Sequence, residues 1–343
     1  MLTVKVFMMI AVLVTSATTA SEDSNEVRRM LPATCSPDTP SPSFNKFFLD
    51  QQMPTGLFDV KSKTLRYICQ TIPETPGVYY YSTLFDENTG IAVLSAYIVD
   101  PIQAKGIGLI KDRAHSWRVN EDISRQGSDA LYYKSGLDKG HLNPVHINSF
   151  NKEYVKSTFT YTNAVPQYLG WNRGQWKVYE GYIADYVQSV CAKMFSGTMY
   201  LLTGTSHFHL EVGVDSPTQE GIGSIEPFPG PLNPNKIVRP NSMWTAGCCV
   251  WTEKGEDKAE SIAVMGNNDS DKGKLGTTSM TLAELERILV DKKSADLFPG
   301  SLKKCREKSY LLKKRIFLVC IPQTCQQAVV MFWTNRVLVG GAC

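Results

Sequence analysis

The chain has 343 residues, 43% of them hydrophobic and 20% charged, enough for one large core or two modest domains and against a disordered or fibrous chain. Its formal net charge of +3 includes Lys5, which lies in a segment expected to be removed, leaving about +2. Bulk charge therefore does not mark a nucleic-acid binder, and any polyanion site has to be a local patch.

Residues 1–20 read as a signal peptide. "MLTVK" carries one lysine, "VFMMIAVLV" is an apolar run too short for a bilayer, and "TSATTA" supplies small residues before the polar start at Ser21. A secreted chain exposes its nine cysteines to an oxidising compartment, where they are disulfide candidates. Zinc spacing is missing, because Cys248 and Cys249 are adjacent and Cys320-x4-Cys325 has no second pair. Nine is odd, so at least one cysteine stays free or pairs between chains. Cys35–Cys69 is the one pair expected, both flanking the N-terminal region. Residues 21–34 are expected to be irregular, and 35–300 to form the principal domain. Residues 301–343 read as a basic and apolar extension with no run long enough for a membrane span.

"VYYYSTLF" (Val78–Phe85) and "IAVLSAYIV" (Ile91–Val99) read as strands joined by a hairpin turn at "DENTG". "KDRAHSWRVNED" (Lys111–Asp122) is a cationic loop, and "STFTYTNAVPQ" (Ser157–Gln167) alternates like a strand as far as Pro166. A helix is predicted from Asn172, with Asn172 as N-cap and Gln175 completing a capping box. Val178, Tyr182, Ala184, Tyr186, Val187, Val190 and Cys191 mark its buried face. "TMYLLTGT", "MWTAGCCVW" and "ESIAVMG" are further strands, and "TLAELERILVDK" (Thr281–Lys292) is an amphipathic helix capped by Thr281. The polar run "GNNDSDKGK" is expected to be an exposed loop, with Asn268 in a glycosylation sequon.

The chemistry-bearing stretch is "SGLDKGHLNP", residues 135–144. An imidazole titrating near ~6.5 is the natural neutral-pH base, although one histidine after a glycine also reads as structural. Asn172, Trp176 and Glu180, at i, i+4 and i+8, set an amide, an indole and a carboxylate along one helix stripe. Singly they read as an N-cap and a solvated face. An amide oxygen and a carboxylate near a helix start also suit a hard cation such as Mg²⁺, which takes oxygen ligands and keeps most of its water.

Taken together, "DKGHLNP", "TNAVPQ" and "NRGQWKVYE", in that order and with Asn163 and Asn172 nine apart, resemble the DNA/RNA non-specific endonucleases of the ββα-metal class. The wording of "SGLDKGHLNP" and the later "PNSMWTAGCC" is similar to the secreted endonuclease domain-containing 1 group of that family. The resemblance runs from about Cys35 to Leu297. It implies an α+β fold, a mixed and largely antiparallel sheet core flanked by helices, with the ββα-metal finger on one side. It also implies roles. His141 is the general base, Asn172 the sole direct protein ligand of one Mg²⁺ (with Mn²⁺ as a substitute), Glu180 a holder of metal-bound waters, and Asn163 a group orienting the site. Lys139 stands where the family carries arginine; it keeps the charge and loses the planar fork that suits phosphate. The family's upstream arginine corresponds to Arg118 or Arg113, with His115 near the expected position. Arg173 and Gln167 are further substrate contacts, and Asp138 is a structural carboxylate. The implied activity is secreted hydrolysis of DNA and RNA through their sugar-phosphate backbone, without base reading, leaving 5′-phosphate ends. Lys139 and the upstream arginine leave a second expectation open, a nuclease-like secreted binding or immune-interaction module with little or no catalysis.

Overall fold

The β-branched and aromatic runs become the strands of one large sheet. The computed structural model describes residues 39–112, 115–211, 236–290, 295–300 and 304–312, with short pieces at 29–30, 35, 219–222, 226–228, 331–333 and 336–338. Its principal strands are β1 (Leu65–Gln70), β2 (Tyr81–Asp86), β3 (Ile91–Val99), β4 (Leu137–His141), β5 (Ala164–Tyr168), β6 (Thr198–Ser206), β7 (Ser242–Glu253), β8 (Glu256–Asn267) and β9 (Thr278–Met280). Seven form a sheet in the order β9-β8-β7-β6-β3-β2-β1, with every neighbouring pair antiparallel. β4 and β5 pair separately, also antiparallel. The predicted "DENTG" turn joins β2 to β3, and Gly90 closes it at φ 71°, a conformation glycine adopts without steric cost.

The helices that bear on the site and the core are α1 (Lys152–Ser157), α2 (Lys177–Tyr186) and α3 (Leu282–Ile288). Both sheet faces are covered. Leu94, Leu202, Trp244, Ala246 and Cys248 share one core with Phe44 and Phe48 and with Leu282 and Leu285 of α3. Tyr97, Leu201, Cys249 and Ile262 share the other with Ile183, Ala184 and Tyr186 of α2. Thr281 caps α3 as expected. Its hydroxyl accepts from the Glu284 N–H at 3.2 Å and the Glu284 carboxylate accepts from the Thr281 N–H at 2.7 Å.

Cys35–Cys69 is bridged, as expected, and Cys191–Cys249 and Cys248–Cys305 are bridged as well. The last bridge carries the fold past residue 300, where an extension was expected to begin. There the Tyr310 N–H donates to the Ser261 carbonyl (2.7 Å), Lys308 pairs with Glu260 (2.6 Å) and Arg306 with Glu286 (2.8 Å). Both carboxylates are buried, so the segment supplies cations the core needs. The signal peptide lies outside the described residues. Among those described, no helix is long and apolar enough to cross a membrane.

Three local expectations change. "STFTYTNAVPQ" is a strand only over Ala164–Tyr168, because Tyr161–Asn163 forms a 3₁₀ turn. The helix expected from Asn172 begins at Leu169 and widens into π turns at Asn172–Trp176 and Val187–Ala192. Its capping box is absent: Asn172 has helical dihedrals and Gln175 accepts instead from the Thr277 N–H, while Val178 is exposed. Asn268 is 3% exposed rather than on an open loop. Its side-chain amide donates to the carbonyls of Pro166 and Pro240, each at 2.9 Å, and accepts from the Tyr168 N–H. Both amide hydrogens are engaged inside the fold, which contradicts its assignment as a glycan site.

Candidate active site

β4 and β5 carry the motif. Lys139 faces Pro166, Gly140 faces Val165 and His141 faces Ala164 in register. Gly140 lies in regular strand rather than at a bend. It is glycine for space, since a Cβ there would overlap the Gln167 amide. Beyond His141 the chain wraps over Asn163, which is fully buried. The Asn163 oxygen accepts from Ser95 Oγ (3.1 Å) and the Asn143 N–H (2.9 Å), and its nitrogen donates to the carbonyls of Asn143 (3.1 Å) and Thr158 (3.0 Å). Every donor and acceptor direction of the amide is taken. Asn163 holds the His141 loop in place and is closed to substrate.

The His141 imidazole sits between the rings of Trp117 and Phe159, at centroid distances of 4.7 and 4.9 Å. Burial, then the neighbouring Lys139 charge, push its pKa down to about 3, so the ring is neutral. Nε2 is buried and has no hydrogen-bond partner. That leaves Nδ1 as the nitrogen available to a reactant.

Opposite stands the helix start, across a cleft of about 470 Å³ lined by His141, Pro144 and His146 on one side and Asn172, Arg173, Lys177 and Glu180 on the other. Trp171 and Trp176, both buried, lie 4.9 Å apart and anchor this stretch in a core shared with Met243. Asn172 Nδ2 donates to Asp138 Oδ2 at 2.9 Å. Arg173 donates to both oxygens of the same carboxylate, from Nε at 2.9 Å and Nη2 at 2.7 Å. Burial raises the Asp138 carboxyl, but the Arg173 and Asn172 hydrogen bonds and the Arg173 charge hold it below its ordinary value. Since Asp138 engages its NH₂ group, Asn172 presents its oxygen, which accepts no bond from the described residues. Glu180, half-buried, is pushed up to about 8 by desolvation, opposed by the Trp176 indole and the Lys177 charge. That indole N–H makes no hydrogen bond of good geometry.

The remaining candidates fall elsewhere. Lys139 pairs with Asp129 at 2.7 Å and lies over the rings of Trp117 and Tyr161. Arg118 is 5% exposed and donates to the Lys156 carbonyl, so it is a structural cation and not a cleft residue. Gln167 is fully buried under Gly140, with its amide on Met243 Sδ, and cannot contact substrate. Arg113 lies outside the described residues. Trp117, Phe159 and Lys177 were not singled out from the sequence. The first two carried only the signal of aromatic residues near the motif, and Lys177 that of a cation one turn beyond Asn172.

Among the described residues, no group of three or more His, Cys, Asp or Glu side chains could hold a metal. A hard cation kept mostly in water fits the donor set better: one amide oxygen with its geometry set by Asp138, and one carboxylate two turns further along the helix. The sequence pattern described as "DNA/RNA non-specific endonuclease" matches residues 66–300. No curated protein matches the chain. Among solved structures, the chain is similar to one in the crystal structure of an EndoG/EndoGI complex. Identity is 18%, over 61% of this chain and 81% of that one, with a TM-score of 0.47. The family match covers well over half of the sequence and both sides of the cleft, so the chain belongs to the DNA/RNA non-specific endonucleases, a family of metal-dependent nucleases with the ββα-metal fold.

Proposed function

We propose that the protein is a secreted, Mg²⁺-dependent endonuclease that cuts DNA and RNA phosphodiester bonds without sequence preference and leaves 5′-phosphate ends. The observation that carries this reading is a neutral imidazole facing an unengaged amide oxygen across one cleft. His141 takes the proton of the attacking water at Nδ1. An incoming phosphate is negatively charged and favours imidazolium, which raises the depressed pKa toward the range where a base works. Trp117 and Phe159 fix the ring plane, and Asn163 holds the loop beneath it. Asn172 Oδ1 would be the protein oxygen that holds the cation, and the Glu180 carboxylate would support it through water. Bound Mg²⁺ supplies neutralising charge for the scissile phosphate and the leaving 3′-oxygen. Secretion is supported by the layout of residues 1–20 and by three disulfides, which persist in oxidising compartments.

One observation favours the second reading, a nuclease-like binding or immune-interaction module with weak turnover: the Lys139 ammonium is engaged by Asp129 instead of facing the cleft. Plasmid and RNA cleavage by the purified chain, with Mg²⁺ and with EDTA, beside His141→Ala, separates the two. Cleavage that needs both Mg²⁺ and His141 supports the enzyme. No cleavage above the His141→Ala background overturns it in favour of the binding module.

A further inference from the structure

The cations that the sequence offers as phosphate ligands, and those that line the cleft, differ in what already holds them. Lys139 is on Asp129, Arg118 on the Lys156 carbonyl, and Arg173 on both oxygens of Asp138. Lys177 differs. It is exposed in the first turn of α2, lines the cleft, and its ammonium makes no hydrogen bond or ion pair with any described residue. Recruiting Arg173 would break its two hydrogen bonds to Asp138 and leave that carboxylate with Asn172 alone. Recruiting Lys177 breaks nothing.

We propose that Lys177 binds a backbone phosphate of the nucleic-acid strand beside the scissile one, supplying the cleft's phosphate-holding charge in place of position 139. This rests on the nuclease reading and names the residue by which the cleft grips its substrate. An ammonium on a flexible four-carbon stem meets phosphate as a point charge without fixed geometry. It therefore grips DNA and RNA alike and carries no base preference.

Binding of a fluorescent single-stranded oligonucleotide, followed by anisotropy across a salt series in the His141→Ala chain with Mg²⁺ present, tests it. Lys177→Ala should weaken binding and flatten the dependence of log K on log salt by about 0.7, the counterion release of one single-strand phosphate contact. Lys177→Arg should restore the slope. Lys152→Ala, which removes the same charge from the exposed first turn of α1, and Lys139→Ala should leave the slope unchanged. An unchanged slope in Lys177→Ala, or an equal loss in either control, overturns the proposal. In the catalytically intact chain, Lys177→Ala should raise KM and spare kcat; a loss confined to kcat overturns it too. If the parent chain binds with a Lys177-dependent slope but cuts nothing, the nuclease reading fails and the contact stands. If it cuts and Lys177→Ala binds as the parent does, the contact alone fails. A parent that neither binds nor cuts sinks both.

Discussion

Replacing Asp138 with alanine removes three hydrogen bonds at once, one from Asn172 (2.9 Å) and two from Arg173 (2.9 and 2.7 Å). The cost to stability is small. The Arg173 side chain is 67% exposed, so its ion pair is screened by solvent and contributes little to stability. Loss of the Asn172 bond costs about 1 kcal/mol, which leaves a protein of ordinary stability folded. The cost to activity is larger, because the freed Asn172 amide can turn its NH₂ group toward the cleft. Losing a group that orients a metal ligand typically costs about 10–100-fold in metal affinity or activity. Initial rates of plasmid cleavage against Mg²⁺ concentration, beside a urea melt, read both quantities. Asp138→Ala should need about tenfold more Mg²⁺ for half-maximal rate, with a nearly unchanged melt. Arg173→Ala keeps the Asn172–Asp138 bond and should shift the Mg²⁺ curve far less. A Mg²⁺ curve for Asp138→Ala that overlays the parent, or equal shifts in the two variants, refutes Asp138 as the group that orients Asn172.

Gly140→Ala should cost about 1–3 kcal/mol in a urea melt, because the new methyl overlaps the buried Gln167 amide and the hairpin cannot give way freely. Asn163→Ala strands several buried partners, each worth about 1–3 kcal/mol, and should lower the denaturation midpoint more than any cleft substitution. Arg306→Met should destabilise in a pH-dependent way. Burial raises the Glu286 carboxyl and Arg306 opposes that rise, so the variant raises it further. A carboxyl raised in the fold destabilises it above that raised value, and the penalty vanishes as pH falls toward the unfolded value. The loss should be about 2 kcal/mol at pH 8, below that of a fully buried pair because Arg306 is 39% exposed, and should shrink by pH 4. An equal loss at both pH values would contradict this.

The parts of the fold legible in the sequence are those set by short-range pattern. β2, β3, β6, β7, β8 and the Thr281 cap follow from alternation, glycine turns and a capping box. The same holds for which residues meet: His141, Asn172 and Glu180 gather around one cleft because a hairpin and the helix after it are close in sequence. What stayed illegible depends on partners the sequence does not place nearby. Lys139 looks like a phosphate ligand until Asp129 takes it. Asn172 satisfies the local rule for an N-cap, yet the buried Trp171 extends the helix backward and turns its amide to Asp138. Asn268 sits in a run so polar that it reads as solvated, while three backbone groups from two distant segments claim its side chain. Arg118 follows Trp117, which does pack on His141, but its own guanidinium goes to the Lys156 carbonyl, far along the chain.

The neighbours Cys248 and Cys249 point to opposite faces of β7, and each is tied to a different cover, Cys249 to Cys191 and Cys248 to Cys305. A one-residue slip of β7 would exchange the faces of every side chain on it. It would also turn each of these thiols away from its partner and toward the other's. The doublet thus makes a shift of register, ordinarily a matter of weak and redundant contacts, visible as wrong covalent pairing. In a compartment where thiols exchange, a slipped strand carries unpaired or mispaired sulfur and stays open to reshuffling, while the correct strand is locked on both sides at once. β7 meets β8 through a tight hairpin but must still find β6 across an intervening segment, and the doublet gives that pairing its own means of proofreading.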